Sequence, residues 1–187
     1  MSRILKVSLV VSLVCSTTLF AMSEQEAKGI AKDAIQTVGG KLKHTLGQKA
    51  KEGGLTNAAS FCSTEAGNVA KEAAKTLPKG VSVKRITDKP RNKMNQASEE
   101  QLKVLSEIKQ KMLEGTMPEM VVKKLSQNHY QVYKPLKIGN KCLNCHGSEA
   151  SRNKEAYSII SKKYPDDKAI GYKKGELRGA FLVDIKR

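Results

Sequence analysis

Tryptophan is absent from this 187-residue chain, and three Phe and five Tyr make up its whole aromatic complement. Few large side chains are on hand to fill a core, so a bound cofactor would supply part of the missing apolar volume. Acidic residues are scarce beside basic ones, 18 against 34, for a formal net charge of +16. That excess is dispersed rather than gathered in a tail. No run of about 18 or more uninterrupted apolar residues occurs, which excludes a polytopic membrane protein. Hydrophobic residues at 39% and charged residues at 28% are globular values and exclude a wholly disordered chain. The length predicts one domain.

Residues 1–21 read MSRILKVSLVVSLVCSTTLFA. Arg3 and Lys6 form a short basic stretch, Val7 to Val14 an apolar one, and Ala21 is a small residue at which a signal peptidase would cut. Residues 1–21 are therefore expected to be a signal peptide, with 22–187 a single domain exported to the periplasm. An uncleaved membrane anchor is the alternative. Val14 is a poor neighbour for a lipid-modified Cys15, which argues against a lipoprotein. Cleavage would leave Cys62, Cys142 and Cys145. An odd number of thiols in an oxidising compartment asks for an explanation other than pairing.

Ser23 and Glu26 form a capping box ahead of Ala27, Ile30, Ala31, Ala34 and Val38, spaced as one helical face. The phase carries on through Leu42, Leu46 and Ala50, so Gly39-Gly40 reads as a kink rather than an end. A further helix is expected from about Leu55 to Leu77, with Ala58, Ala59, Cys62, Ala66, Val69, Ala70 and Ala73 on one face and a stop at Pro78-Lys79-Gly80. VSVKRI, residues 81–86, reads as a strand and Lys89 to Gln96 as a polar loop. Ser98 caps a helix with Gln101 at its third position, and Gly115 ends it. Tyr130 to Ile138 and Gly179 to Ile185 alternate as strands around a short helix from Asn153 to Tyr164. Helices first and separated strands later, with no βαβ rhythm, predict an α+β fold.

One motif carries chemistry. Cys142-Leu-Asn-Cys145-His146 is C-x-x-C-H, the attachment signature for c-type haem. Two thiols three residues apart form thioethers with the two haem vinyl groups, and the next residue is then held beside the iron as an axial imidazole. A structural zinc site would need two further ligands, and no second C-x-x-C exists. A thioredoxin-like redox pair would want a βαβ context. A plain disulfide ignores the His. Export and His146 together favour one covalent haem c. For the sixth position on that iron the candidates are Cys62, His44, His129, Met94, Met117 and Met120. Against Cys62 stands the reading of a buried thiol acting as a small hydrophobe; for it stands its being the one Cys left over.

The stretch GVSVKRITDKPRNKMNQASEEQL (residues 80–102), CLNCHG (142–147) and GYKKGELRGAFLV (171–183) together resemble a family of exported single-haem c-type proteins with a PAS-like fold. The resemblance implies N-terminal helices followed by a PAS-like antiparallel sheet with flanking helices. It implies Cys62 as sixth iron ligand opposite His146. It also implies that Arg85, Arg91, Asn92 and Asn95 shape the haem surroundings. The strong positive charge and the shortage of aromatics depart from the family.

The charge has two readings. Lys71, Lys75, Lys123 and Lys124 fit an ordinary solvated face, or the excess steers the protein toward an acidic redox or signalling partner. Export argues against nucleic acid, despite a sequence pI near 9.7. Three functional classes follow. A redox or small-gas sensor would exchange a weak sixth ligand for CO or NO and pass its signal to a separate protein. A periplasmic electron carrier would keep both ligands. A peroxidase-like enzyme would want acid–base groups at an open iron, and three His with one committed offer few. The expectation is a haem-binding protein without turnover of its own.

Overall fold

The computed structural model describes residues 21–187; the expected signal peptide lies outside them except for Ala21. Helix α1 spans Glu24–Ile35, opened by the expected capping box: Ser23 takes the Glu26 amide, and the Glu26 carboxylate takes the Ser23 amide at 2.8 Å. The chain passes through a π-helical turn at Gln36–Gly40 without leaving the helical region, and α2 runs Lys41–Thr64. The sharper break comes later than Gly39-Gly40, at Gly53 (φ −149°, ψ 28°) and Gly54 (φ 67°, ψ −161°). A residue with a side chain resists the latter conformation. The helix expected from Leu55 to Leu77 is cut again at Glu65. Its second piece, α3 (Ala66–Ala74), has no fully buried residue.

The sheet is four-stranded and antiparallel throughout, in the order β1-β4-β3-β2. β1 is Val81–Ile86, β2 Val121–Ser126, β3 His129–Lys137 and β4 Leu177–Lys186. The alternation of each strand divides its side chains between two faces. On one face Tyr130, Val132, Val183 and Ile185 pack against Met22, Ala27, Ala31 and Ala34 of the α1 region. On the other, Ile86, Tyr133, Ala180 and Leu182 pack against Val104, Leu105 and Ile108. The last three belong to α4, Glu99–Leu113, whose Ser98–Gln101 capping box forms as expected. A three-layer α–β–α body results, which is the α+β class. β2 had no sequence signal strong enough to mark it. Its outer half is exposed and charged, and its two-residue turn, Gln127-Asn128, contains no Gly.

The inner two strands run out of this body to the motif. β3 ends at Lys137, a 3-10 turn follows at Asn140–Cys142, and α5 is the four residues Leu143–His146. Helix α6, Lys154–Lys163, is capped by Asn153 and lies along the second half of α2 through Ala59, Ala156 and Ile160. Gly179 closes β4 onto β1. At its φ of 130° a Cβ would fall 2.1 Å from the Ile86 carbonyl oxygen, so no other residue fits there.

Candidate functional site

Positions i, i+3 and i+4 lie on one side of a helix, and the turn into α5 gives Cys142, Cys145 and His146 those offsets. Cys142 packs toward Ile138, Ala169 and Tyr172, while Cys145 packs toward Ala59, Ala156 and Ile160. The two thiols are thus held by different apolar clusters on either side of the motif. Both are unpaired, as is Cys62. Gly147 lets α5 end abruptly: a Cβ there would lie 2.2 Å from Ser151 Oγ and 2.8 Å from the Leu143 carbonyl.

His146 is half-buried, and its Nδ1 lies 2.7 Å from the Ala169 carbonyl. Arg91 Nη2 is 3.3 Å from the same nitrogen but donates to the Cys145 carbonyl at 2.6 Å. The ring meets Tyr172 edge-on, with centroids 6.3 Å apart. Burial first, and then the charges of Arg91, Arg178 and Arg85, push the His146 pKa down to about 3, against a small upward pull from the Ala169 hydrogen bond. The imidazole is neutral across the physiological range.

Around it stand three guanidinium groups. Arg91 pairs with Asp167 (Nε to Oδ2, 3.0 Å), the buried carboxylate among the described residues. Arg178 is buried and donates to Thr87 Oγ1 at 3.0 Å and to the Lys89 carbonyl at 3.2 Å, leaving its Nε without a partner. Arg85 keeps some solvent contact, yet desolvation, with the charges of Arg178 and Arg91, lowers its pKa to about 10. Burial pushes the Cys62 and Cys145 thiols up; Cys62 also feels Cys145, Arg91 and Arg85.

Cys62, Arg85, Arg91, Cys145 and His146 lie near enough to one another for their charges to interact, with Cys142 on the motif's other flank. Asn92 stands apart: it is exposed, and its Oδ1 caps the turn at Met94. Asn95 closes the same turn by giving its carbonyl to the Thr87 amide. His129 hydrogen-bonds Asp184 at 3.1 Å, at the far end of β3 from the motif. Eight strand steps of about 3.3 Å put roughly 26 Å between the two ends of β3. His44 and Met94 are exposed, and Met120 packs against the α1 face of the sheet. Spacing had no means of finding Asp167, Thr87, Ala169, Tyr172 and Arg178. They come from the loop before β4 and from two strand ends, with no motif of their own.

No three His, Cys, Asp or Glu side chains among the described residues converge closely enough to hold a bare metal ion. With Nδ1 turned to the Ala169 carbonyl, His146 leaves Nε2 as the nitrogen that could reach a metal carried by a bound group. Three arginines against one buried carboxylate also leave positive charge for a bound anionic group to balance.

A model of the Tll0287-like family matches residues 16–186. Among solved structures the chain is similar to the cyanobacterial heme-protein Tll0287, at 22% identity and a TM-score of 0.62 over 88% of this chain and 98% of that one. That likeness extends over the helices and the sheet alike. No curated protein matches.

Proposed function

The chain belongs to the Tll0287-like family, and from that membership we propose that it is an exported, periplasmic haem-binding protein carrying one haem c. Cys142 and Cys145 would hold the haem through thioether bonds, His146 would bind its iron, and Cys62 is the candidate for the remaining iron ligand. The observation that carries this reading is the C-x-x-C-H turn itself, with His146 Nδ1 held at the Ala169 carbonyl, Arg91 on the Cys145 carbonyl, and Cys62 near enough to feel Cys145, Arg91 and Arg85. A haem bound there supplies a redox-active iron. The positive charge of Arg85, Arg91 and Arg178 would favour an anionic group there, and the apolar clusters behind Cys145 and Cys142 would exclude water from the thioether side.

The role that follows is redox or small-gas sensing, with the signal handed to a separate protein. An anionic thiolate stabilises ferric iron and holds ferrous iron weakly. The Cys62 thiol, pushed up by burial, takes a proton readily once it is released. Reduction would then free the site for CO or NO. An electron carrier, by contrast, needs both ligands to stay. The test is the ferric absorption and EPR spectrum of Cys62→Ala, together with CO binding to the ferrous parent. The expected results are a lost thiolate signature, a raised potential and rapid CO uptake by the parent. A spectrum identical to the parent's would make Cys62 a buried core thiol, and CO inertness would make the protein a carrier.

A further inference from the structure

The arrangement behind His146 closes into a ring of polar contacts. Asp167 Oδ1 accepts the Ala169 amide at 2.8 Å, and the Ala169 carbonyl faces His146 Nδ1 at 2.7 Å. Asp167 Oδ2 accepts Arg91 Nε at 3.0 Å, and Arg91 Nη2 donates to the Cys145 carbonyl, the residue beside His146, at 2.6 Å. The Asp167 side chain is 1% exposed and that of Arg91 13%.

Two neighbours compete for Nδ1, and they demand opposite protonation. A carbonyl can only accept, and a guanidinium can only donate. Were Nδ1 bare, its lone pair would face the Ala169 oxygen at 2.7 Å. With the proton on Nδ1 that contact becomes a short hydrogen bond, and Arg91, already engaged with Cys145 and Asp167, is a bystander at 3.3 Å. Nε2 is then the bare nitrogen. The geometry assigns to Asp167 the role of positioning residue for His146: one oxygen anchors the Ala169 backbone that fixes the His146 tautomer, and the other anchors Arg91 beside the ring. Outer partners of this kind orient a metal-bound imidazole and strengthen it as a donor.

This inference rests on the haem reading. A parent protein whose mass shows no attached haem would sink that reading before any variant is made. With haem present, the experiment follows the solvent exchange of the His146 Nδ1 proton by NMR on 15N-histidine-labelled, reduced protein, alongside the midpoint potential. Asp167→Ala removes the anchor, and about tenfold faster exchange is expected, as loss of one ordinary hydrogen bond gives. Asp167→Asn keeps an oxygen for the Ala169 amide but loses the charge opposite Arg91. Its exchange should stay near the parent's while its potential rises. Parental exchange in haem-loaded Asp167→Ala would overturn the assignment. Should that variant fail to load, an unchanged potential in the nearly isosteric Asp167→Asn would overturn it equally.

Discussion

The body of the protein and its motif end are packed by different rules. Between α1, the sheet and α4 the buried side chains are almost wholly apolar, with Ala27, Ala31, Ile108, Val132, Val183 and Ile185 at or near zero exposure. Around α5 and the loop before β4, by contrast, Thr87, Asp167 and Arg178 are buried. Three polar atoms there, Arg152 Nε, Tyr172 Oη and Arg178 Nε, lack partners. Burying unpaired polar groups costs about 1–3 kcal/mol each in mutational data. Native chains tolerate that where a ligand or a mechanism makes use of it. The body is complete by itself, and the motif end is shaped for something else to fill it.

The strongest way to break this contrast is to withhold the group. Cys142→Ser with Cys145→Ser should give a chain without covalent haem by mass. Its melt should be lowered, and proteolytic cuts should gather within residues 140–176 rather than in β3 or α4. Burial of a porphyrin stabilises by roughly 25 cal/mol per Å² of apolar surface, so its loss outweighs any single core substitution. A cooperative melt at the parental temperature would show that the motif end stands unaided.

The converse change weakens the body and spares the site. Ile108 is fully buried against Tyr133 and Leu182 on the α4 face. Ile108→Ala should cost about 2–5 kcal/mol in denaturant titration, through lost transfer energy and the cavity left behind. The haem absorption spectrum should not move. A shifted spectrum would mean that the two regions are coupled through the sheet.

The smallest expected effect lies at the far end of β3. Burial raises the Asp184 carboxyl, but hydrogen bonds from Gln131 and His129, with the charges of His129 and Lys186, outweigh it and hold the group below its ordinary value. A depressed carboxylate contributes stability above its unfolded pKa and loses it as pH falls through the folded one. Asp184→Asn should therefore cost at most about 1 kcal/mol near neutral pH, the worth of an exposed pair. Parent and variant should converge below pH about 4, the ordinary carboxylate range. A variant that lowers stability equally at all pH values would place the loss in packing instead. A change in the haem spectrum would reopen His129 as an iron ligand.

Helix starts were legible because capping is local. Ser23 with Glu26, Ser98 with Gln101, and Asn153 each act within three residues. Breaks within helices were less so. Gly39-Gly40 and Gly53-Gly54 are the same dipeptide, yet only the second leaves helical φ and ψ. At Gly39 the ring of Phe181 on β4 lies where a Cβ would go, so the helix stays continuous there against the sheet.

C-x-x-C-H is one helical turn of neighbouring residues. Its offsets therefore follow from backbone geometry alone, and the sequence by itself determined that two thiols and an imidazole stand within about one helical turn of each other. It also determined the α+β class, through the periods of its apolar residues. Which remote groups meet that turn is a different matter. Cys62 and Asp167 lie on opposite sides of the motif in the chain, 84 and 21 residues from His146. They reach it because α2 packs on α6 and because the loop before β4 folds back beside α5 through Tyr172 N–H to the His146 carbonyl. Only the tertiary structure decided that His129 is spent on Asp184 while Cys62 comes near Cys145 and Arg91. Strand register and helix packing are long-range outcomes of burying apolar surface, and no local pattern of residues encodes them.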